Sequence, residues 1–326
     1  MSKTARRQFA FVLLLTLFAA AERPALAAGD ASDPTRQLQN LVYYPHAREF
    51  LVTPQFTASL KDSGATDNAA GSETSSSKTT FYQASLNLTY GVFDRLRLGF
   101  AETELLDQTT KTTTDSNGNQ TAAQSRGPSD PTIVGAYRFV ESPSCGMYAD
   151  VLPAFTVPFG VRLNGTNHTG NDLSGAWTSS LSVPLYWLHG MNELGVTPML
   201  GRNFGSRTNG NSLVNSTAGS AYWTESFSFQ DRMHLTNSFY LQPGLTLNFH
   251  YAYQTENLAT AVETPHAVAF YITPALIVGY LVNDHFLLEG TGSYSNNTNS
   301  AAPASGRDTD AANTSTVASL RARFTF

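Results

Sequence analysis

From Thr316 to Phe326 the chain alternates without a slip. Thr316, Ala318, Leu320, Ala322, Phe324 and Phe326 fall on one side, and Val317, Ser319, Arg321, Arg323 and Thr325 on the other. Successive side chains of a strand point to opposite faces, so this pattern gives one apolar face and one charged face. Few residues constrain a fold as tightly as an aromatic placed last on the apolar face, because it leaves no polar tail for water. A two-sided strand of this kind suits a wall with lipid outside and water inside. Phe324 and Phe326 are then expected to form the terminal signal that assembles such a wall.

The same period recurs along the chain. Twelve strands are expected between Glu49 and Phe326. In the second, Tyr82, Ala84, Leu86, Leu88, Tyr90 and Val92 face one way and Gln83, Ser85, Asn87 and Thr89 the other. The ninth carries an apolar row from Leu235 to Tyr253. The sixth, Leu173 to Leu188, has Trp177 and Trp187 near the two ends of its apolar row, as interfacial aromatic girdles require. The connections sort themselves: polar stretches of roughly ten residues or more follow odd strands, and tight turns follow even ones. Long outer loops and short periplasmic turns are the mark of an up-and-down transmembrane barrel. Each segment also meets the ~9–11 tilted residues needed to cross a bilayer. We therefore expect an all-β fold, a transmembrane antiparallel barrel of 12 strands occupying residues 49–326, in the outer membrane of a Gram-negative bacterium.

Composition supports this. Charged residues make up 14% of the chain, well below the ~25% usual for soluble domains. Yet past the leader there is no apolar run of the ~20 residues a membrane helix needs. At the N-terminus, Lys3, Arg6 and Arg7 precede the apolar run Phe9 to Ala21 and the small-x-small site Ala25-Leu26-Ala27. Residues 1–27 are expected to be a secretory signal peptide. It holds four of the 20 basic residues and one of the 25 acidic ones, leaving 16 against 24 and a formal charge of −8. That charge excludes a nucleic-acid partner. The expected partners are outer-membrane lipid, the barrel-assembly machinery and a small-molecule solute. Residues 28–48 have no period and contain Pro34, Pro45 and the apolar knot Leu41 to Tyr44. They fit a periplasmic lead-in or a short plug in the lumen. Cys145, the single cysteine, sits in the turn sequence Ser142 to Gly146 and has no internal partner to oxidise with.

No enzyme is expected. The chain has no G-x-S-x-G, no metal-spaced His/Cys set and no phosphate loop, and no cofactor is implied. A phospholipase barrel would need Ser and His side by side on the outer wall; only His234 has a hydroxyl two residues on, at Thr236, beside a periplasmic turn. The inward rows instead carry Arg95, Arg97, Asp130, Arg138, Asp150, Glu193, His250, Glu289, Arg321 and Arg323. Such residues either pair across the lumen or line a water path. Arg95, Arg97, Arg321 and Arg323 all fall at the periplasmic end and could ring that mouth with positive charge. The inward face of the tenth strand, from Ala267 to Ile277, is apolar.

Three stretches carry a family resemblance. Leu88-Thr-Tyr-Gly-Val-Phe-Asp-Arg-Leu-Arg-Leu98 resembles the strand, Y-G-x-x-D-R-L, strand hairpin of the outer-membrane proteins associated with the meta-cleavage pathway of phenol degradation. Gly127 to Gly135 resembles the G-x-x-D-x-x-x-G of that group, and Leu152 to Gly160 resembles its next strand, ending in P-x-G. The motifs cover the first half of the chain and the layout covers roughly residues 50 to 280. The resemblance implies a passive channel, with hydrophobic or aromatic compounds as its solutes, and supplies no catalytic residue. Six polar loops also fit a non-conducting barrel with a structural or adhesive role.

Overall fold

The computed structural model describes residues 33–67, 72–114, 119–159, 162–163, 175–209, 217–258, 261–266, 268–300 and 309–326. The expected signal peptide, 1–27, lies outside them, as does most of the loop expected at Gly160 to Asp172. Among the described residues, a 3-10 turn at Pro34–Arg36 and a second such turn at Pro143–Cys145 accompany nineteen strand segments. They are β1 (Phe50–Asp67), β2 (Ser72–Phe93), β3 (Leu96–Thr114), β4 (Asn119–Pro128), β5 (Thr132–Ser142), β6 (Met147–Thr156), β7 (Arg162–Leu163), β8 (Thr178–Ser182), β9 (Leu185–His189) and β10 (Asn192–Asn203). β11 (Ser206–Asn209), β12 (Thr217–Gly219), β13 (Tyr222–His234), β14 (Phe239–His250), β15 (Tyr253–Asn257), β16 (Val262–His266), β17 (Ala269–Asn283), β18 (Phe286–Ser300) and β19 (Thr309–Thr325) follow.

These segments make twelve staves of one closed antiparallel wall. β4 and β5 form the fourth stave, and β8 and β9 the sixth, broken at Val183–Pro184. The circuit runs β1-β2-β3-β5-β6-β8/β9-β10-β13-β14-β17-β18-β19 and back to β1. β7, β11, β12, β15 and β16 continue the staves outward as a second, five-stranded sheet. Closure is needed because a bilayer offers no partner to an open edge. The last residue completes it. Phe326 and Phe50 exchange backbone hydrogen bonds of 2.9 and 3.0 Å, and the seam zips upward from Leu51↔Thr325 to Asp67↔Thr309. Next to it Phe324 is buried, its ring stacked on that of Phe286 with centroids 4.6 Å apart and planes 4° from parallel.

The outer surface is what water would not tolerate. Phe100, Ile133, Phe155, Leu181, Leu200, Phe227, Ile272, Leu276 and Leu320 are each more than 40% exposed. On a soluble protein that patch would be an aggregation site; here lipid covers it. Trp177, Phe204, Trp223 and Tyr251 lie side by side at the upper rim, where Arg202 lies over the Trp223 ring at 4.8 Å. Glu225, which breaks the apolar row of its strand, accepts a 2.9 Å bond from the Tyr251 hydroxyl at this same rim.

The strands outrun their expected ends. Stretches expected as loops at Lys61 to Lys78 and Asn296 to Asn313 are largely hairpin, because Ser and Thr suit a ladder as well as a loop. Two local expectations are corrected. Glu102 and Glu104 interrupt the outward row of the third strand, for which either a strand already clear of the membrane or a bulge near Gly99 is expected; the bulge lies at Leu105–Gln108, so both carboxylates keep the outward parity of Phe100. Asp231-Arg232, expected as a turn, is still strand, and β13 runs on to His234 before Leu235–Ser238 reverse the chain.

If the seam matters as the geometry says, deleting Phe326 removes two ladder bonds, about 1–3 kcal/mol at ~0.5–1.5 kcal/mol each. The folded, heat-modifiable band on a denaturing gel is expected to fall relative to wild type. An unchanged folded fraction overturns this role.

Candidate functional site

One end of the lumen, beside the short turns, holds the segment Asp33–Ala47. Between Asp33 and Ala47 the backbone bonds close on the segment itself: Tyr43 N–H donates to Asn40 O at 3.2 Å and Tyr44 N–H to Thr35 O at 3.0 Å. Irregular backbone at membrane depth survives only when something else satisfies its remaining carbonyls. Here arginines do so. Arg323 donates to Leu38 O at 3.1 Å, Arg138 to Val42 O at 3.0 Å, and Arg232 to Gln39 O. Glu193 accepts from Leu41 N–H and from His234 Nε2, the latter at 2.8 Å.

Packing seats the segment further. Leu38 and Tyr43 are buried with Leu51, Tyr240 and Leu287, and Ile277 and Leu281 of the apolar strip on β17 lie against them. Arg97 and Arg138 lie over the Tyr44 ring at 4.4 and 4.5 Å. The Tyr44 hydroxyl reaches Arg95 O and Ala136 O at 2.9 and 2.7 Å. Gly91 allows the chain to enter: a Cβ there would sit 1.7 Å from His46 O. Burial pushes the Tyr44 hydroxyl up to about 12 against the opposing pull of Arg97, and burial draws His46 down from its usual value.

The arginines are paired as well as bonded. Arg138 and Asp150 are both nearly fully buried and bidentate, at 2.8 and 3.1 Å. Glu289 receives Arg321 at 2.6 Å, the Tyr240 hydroxyl, and Arg232 at 3.7 Å. Arg232 also donates to Gln242 at 2.7 Å and lies over the Tyr240 ring at 4.1 Å.

Of the ten inward candidates, Arg97, Arg138, Asp150, Glu193, Glu289, Arg321 and Arg323 all meet around this segment. Three do not. Arg95 lies in the turn before β3, 55% exposed, and pairs with Glu141 at 3.4 Å. Asp130 sits higher, at the break between β4 and β5, and accepts from Phe159 N–H at 2.9 Å. His250 lies at the upper end of β14 among Tyr222 and Tyr271. The four arginines expected as a ring therefore do not form an open one. Arg323 holds the segment, Arg97 lies over Tyr44, Arg321 answers Glu289, and Arg95 is at the rim. Arg232 and Tyr240 joined the site without being expected there. Continuing the parity of Ser226, Ser228 and Gln230 by one step would have placed Arg232 inside.

Above the segment the inward rows are hydroxyls and amides: Gln55 and Thr57 on β1, Gln83, Ser85 and Asn87 on β2, Thr291 and Ser293 on β18. Gln55 donates to Thr57 along its own strand at 3.1 Å, and other inward hydroxyls pair across strands, Ser228–Thr246 at 3.0 Å, Thr132–Thr156 at 2.9 Å and Thr273–Ser295 at 3.1 Å. A cavity of about 230 Å³ opens here beside Asn87, Thr89, Arg97, Ala101 and Val134.

Replacing Arg138 alone with Met strands the Asp150 carboxylate; breaking a buried pair this way costs about 3–5 kcal/mol. The double replacement R138M/D150L is expected to recover most of that loss in urea unfolding from lipid vesicles. Tyr44 gives a pH prediction. Its folded pKa lies above the free value, so its stabilisation is complete below pH ~10 and is lost as pH rises toward 12. Protease cutting of the segment is expected to rise over that window in wild type, and less steeply in Tyr44→Phe.

No protein-family model matches the chain, and no curated protein sequence matches it. Among solved structures, an outer membrane channel from Pseudomonas putida F1 superposes with a TM-score of 0.58 at 13% identity, covering 92% of this chain and 100% of its own. The translocator domain of the autotransporter NalP from Neisseria meningitidis gives 0.47 at 10% identity, covering 86% and 90%. A mutant of the monoaromatic hydrocarbon channel TodX gives 0.44 at 10%, covering 89% and 93%. The first of these likenesses shows the fold: this chain is a closed antiparallel β-barrel like that of the outer membrane channel.

Proposed function

We propose that the protein is a passive outer-membrane channel for small uncharged solutes, narrowed at its periplasmic end by Asp33–Glu49. One observation carries this reading. The narrowing segment shares no backbone ladder with the wall before Arg48, and side chains hold it beneath a lumen lined with neutral hydroxyls and amides. An element needed only for stability would gain more by joining the sheet. Above the segment the inward hydroxyls and amides carry no formal charge, so little there attracts an ion; beside the segment Arg232, Arg321 and Arg323 surround the single carboxylate of Glu289 and leave that end net positive. Aromatic compounds are among the solutes proposed, on the resemblance of the Tyr90 to Leu96 hairpin. The first solved neighbour is described as a channel, which agrees with transport rather than catalysis.

The second reading is a non-conducting barrel with a surface role. It is favoured by the completeness with which Leu38, Val42, Tyr43 and Tyr44 are buried. Planar bilayers separate the two. Wild type is expected to conduct, and deletion of residues 34–47 to raise single-channel conductance several-fold. Gly91→Val, which drives a side chain into His46 O, is expected to act in the same direction. Silence in both wild type and deletion overturns the channel reading.

A further inference from the structure

Three inward rings, Tyr222, His250 and Tyr271, form a ladder at the extracellular end of the lumen, and Tyr253, expected on the outward row of its strand, joins them past the strand break at Tyr251–Ala252. Tyr253 stacks on Tyr222 with centroids 4.6 Å apart and planes 26° from parallel. His250 follows at 6.2 Å from Tyr222, and Tyr271 at 5.1 Å from His250. The ladder crosses three adjacent staves, through β13, β14 with its continuation β15, and β17. Each ring is half-buried, and Tyr222, His250 and Tyr271 share the inward parity of their strands. The Asn203 side chain hydrogen-bonds Tyr222, and Asn248, the strand partner of Tyr271, lies below His250 on the same inward row. These flanking groups are amides, without formal charge.

We propose that this ladder is a stacking subsite for neutral saccharides, a solute class beyond the aromatic compounds of the channel reading. The argument rests on what a half-wet ring can bind. An aromatic hydrocarbon gains most from full removal of water, and the apolar strip at Ile277 and Leu281 that would offer it is already covered by Leu38 and Tyr43. A pyranose ring has one apolar C–H face and an edge of hydroxyls. It can lay that face on Tyr222, Tyr253 or Tyr271 while its edge meets phenol hydroxyls and the neighbouring amides. Rings spaced along a channel wall also let a short oligosaccharide step from one to the next.

Maltotriose is the probe. Saturation-transfer NMR on the full-length protein in detergent is expected to show binding, and bilayer recordings are expected to show concentration-dependent interruptions of the current. The double variant Y222A/Y253A is expected to weaken binding about tenfold, equivalent to ~1.4 kcal/mol. Tyr294→Ala, on the outer face, is expected to change nothing. If the double variant does not fold, Tyr253→Ala against Tyr253→Phe makes the same comparison, with the phenylalanine retaining binding. Absence of maltotriose binding to wild type, equal binding by the variant, or binding of benzyl alcohol alone overturns the subsite. NMR binding does not depend on conductance. Binding by a silent barrel would therefore leave the subsite standing while the channel reading fails.

Discussion

A backbone inside a bilayer has nothing to bond except itself, and the rest of this protein follows from that. Twelve staves pair in sequence, and the ring closes where β19 zips onto β1, a seam whose last two bonds are exchanged by Phe326 and Phe50. Closure fixes which face of every stave meets lipid, since parity cannot change without a bulge. The wall tolerates irregularity where the lost bond is small or remade. At Val183–Pro184, where the sixth stave breaks, Val183 N–H finds Pro198 O and Pro184 O takes Asp150 N–H, each at 3.0 Å.

The same demand explains the lumen. A segment with no ladder brings unsatisfied carbonyls into a low-dielectric space, and guanidinium groups suit them because each has several donors in a fixed fork. Arg138 and Arg232 each divide those donors between the segment and a partner on the wall. The wall partners, Asp150, Gln242 and Glu289, hold the guanidiniums from the side opposite the segment's carbonyls. A firm cradle around an element with few backbone ties of its own is what an adjustable constriction needs, while the upper lumen remains neutral and hydrogen-bonding.

Much of this could be read before any coordinates. The outward rows of β2, β14 and β19 are the rows expected, and so are the tight turns at Asp94, Gly190 and Asp284. Seven of the ten charged positions gather in one cluster. The failures have physical causes. Ser- and Thr-rich stretches read as loops because composition does not separate a polar ladder from a polar coil. Arg232 was lost because Asp231-Arg232 resembles a turn, although the alternation before it continues through both residues. The four rings of the upper lumen lie on strands whose neighbours are fixed only by pairing.

What the sequence determined is the period, and with it the two-faced wall, the direction each side chain takes and the sorting of long from short connections. A repeat of two is a local property of backbone geometry and needs no partner to be visible. The tertiary structure alone decided what fills the lumen. Leu41 to Tyr44 are an apolar knot with no period, and nothing local distinguishes a lead-in outside the barrel from a segment folded into it. That choice depends on Arg138, Arg232 and Arg323, residues far from it in the chain, converging on three carbonyls. Closing the barrel is what brings them within reach.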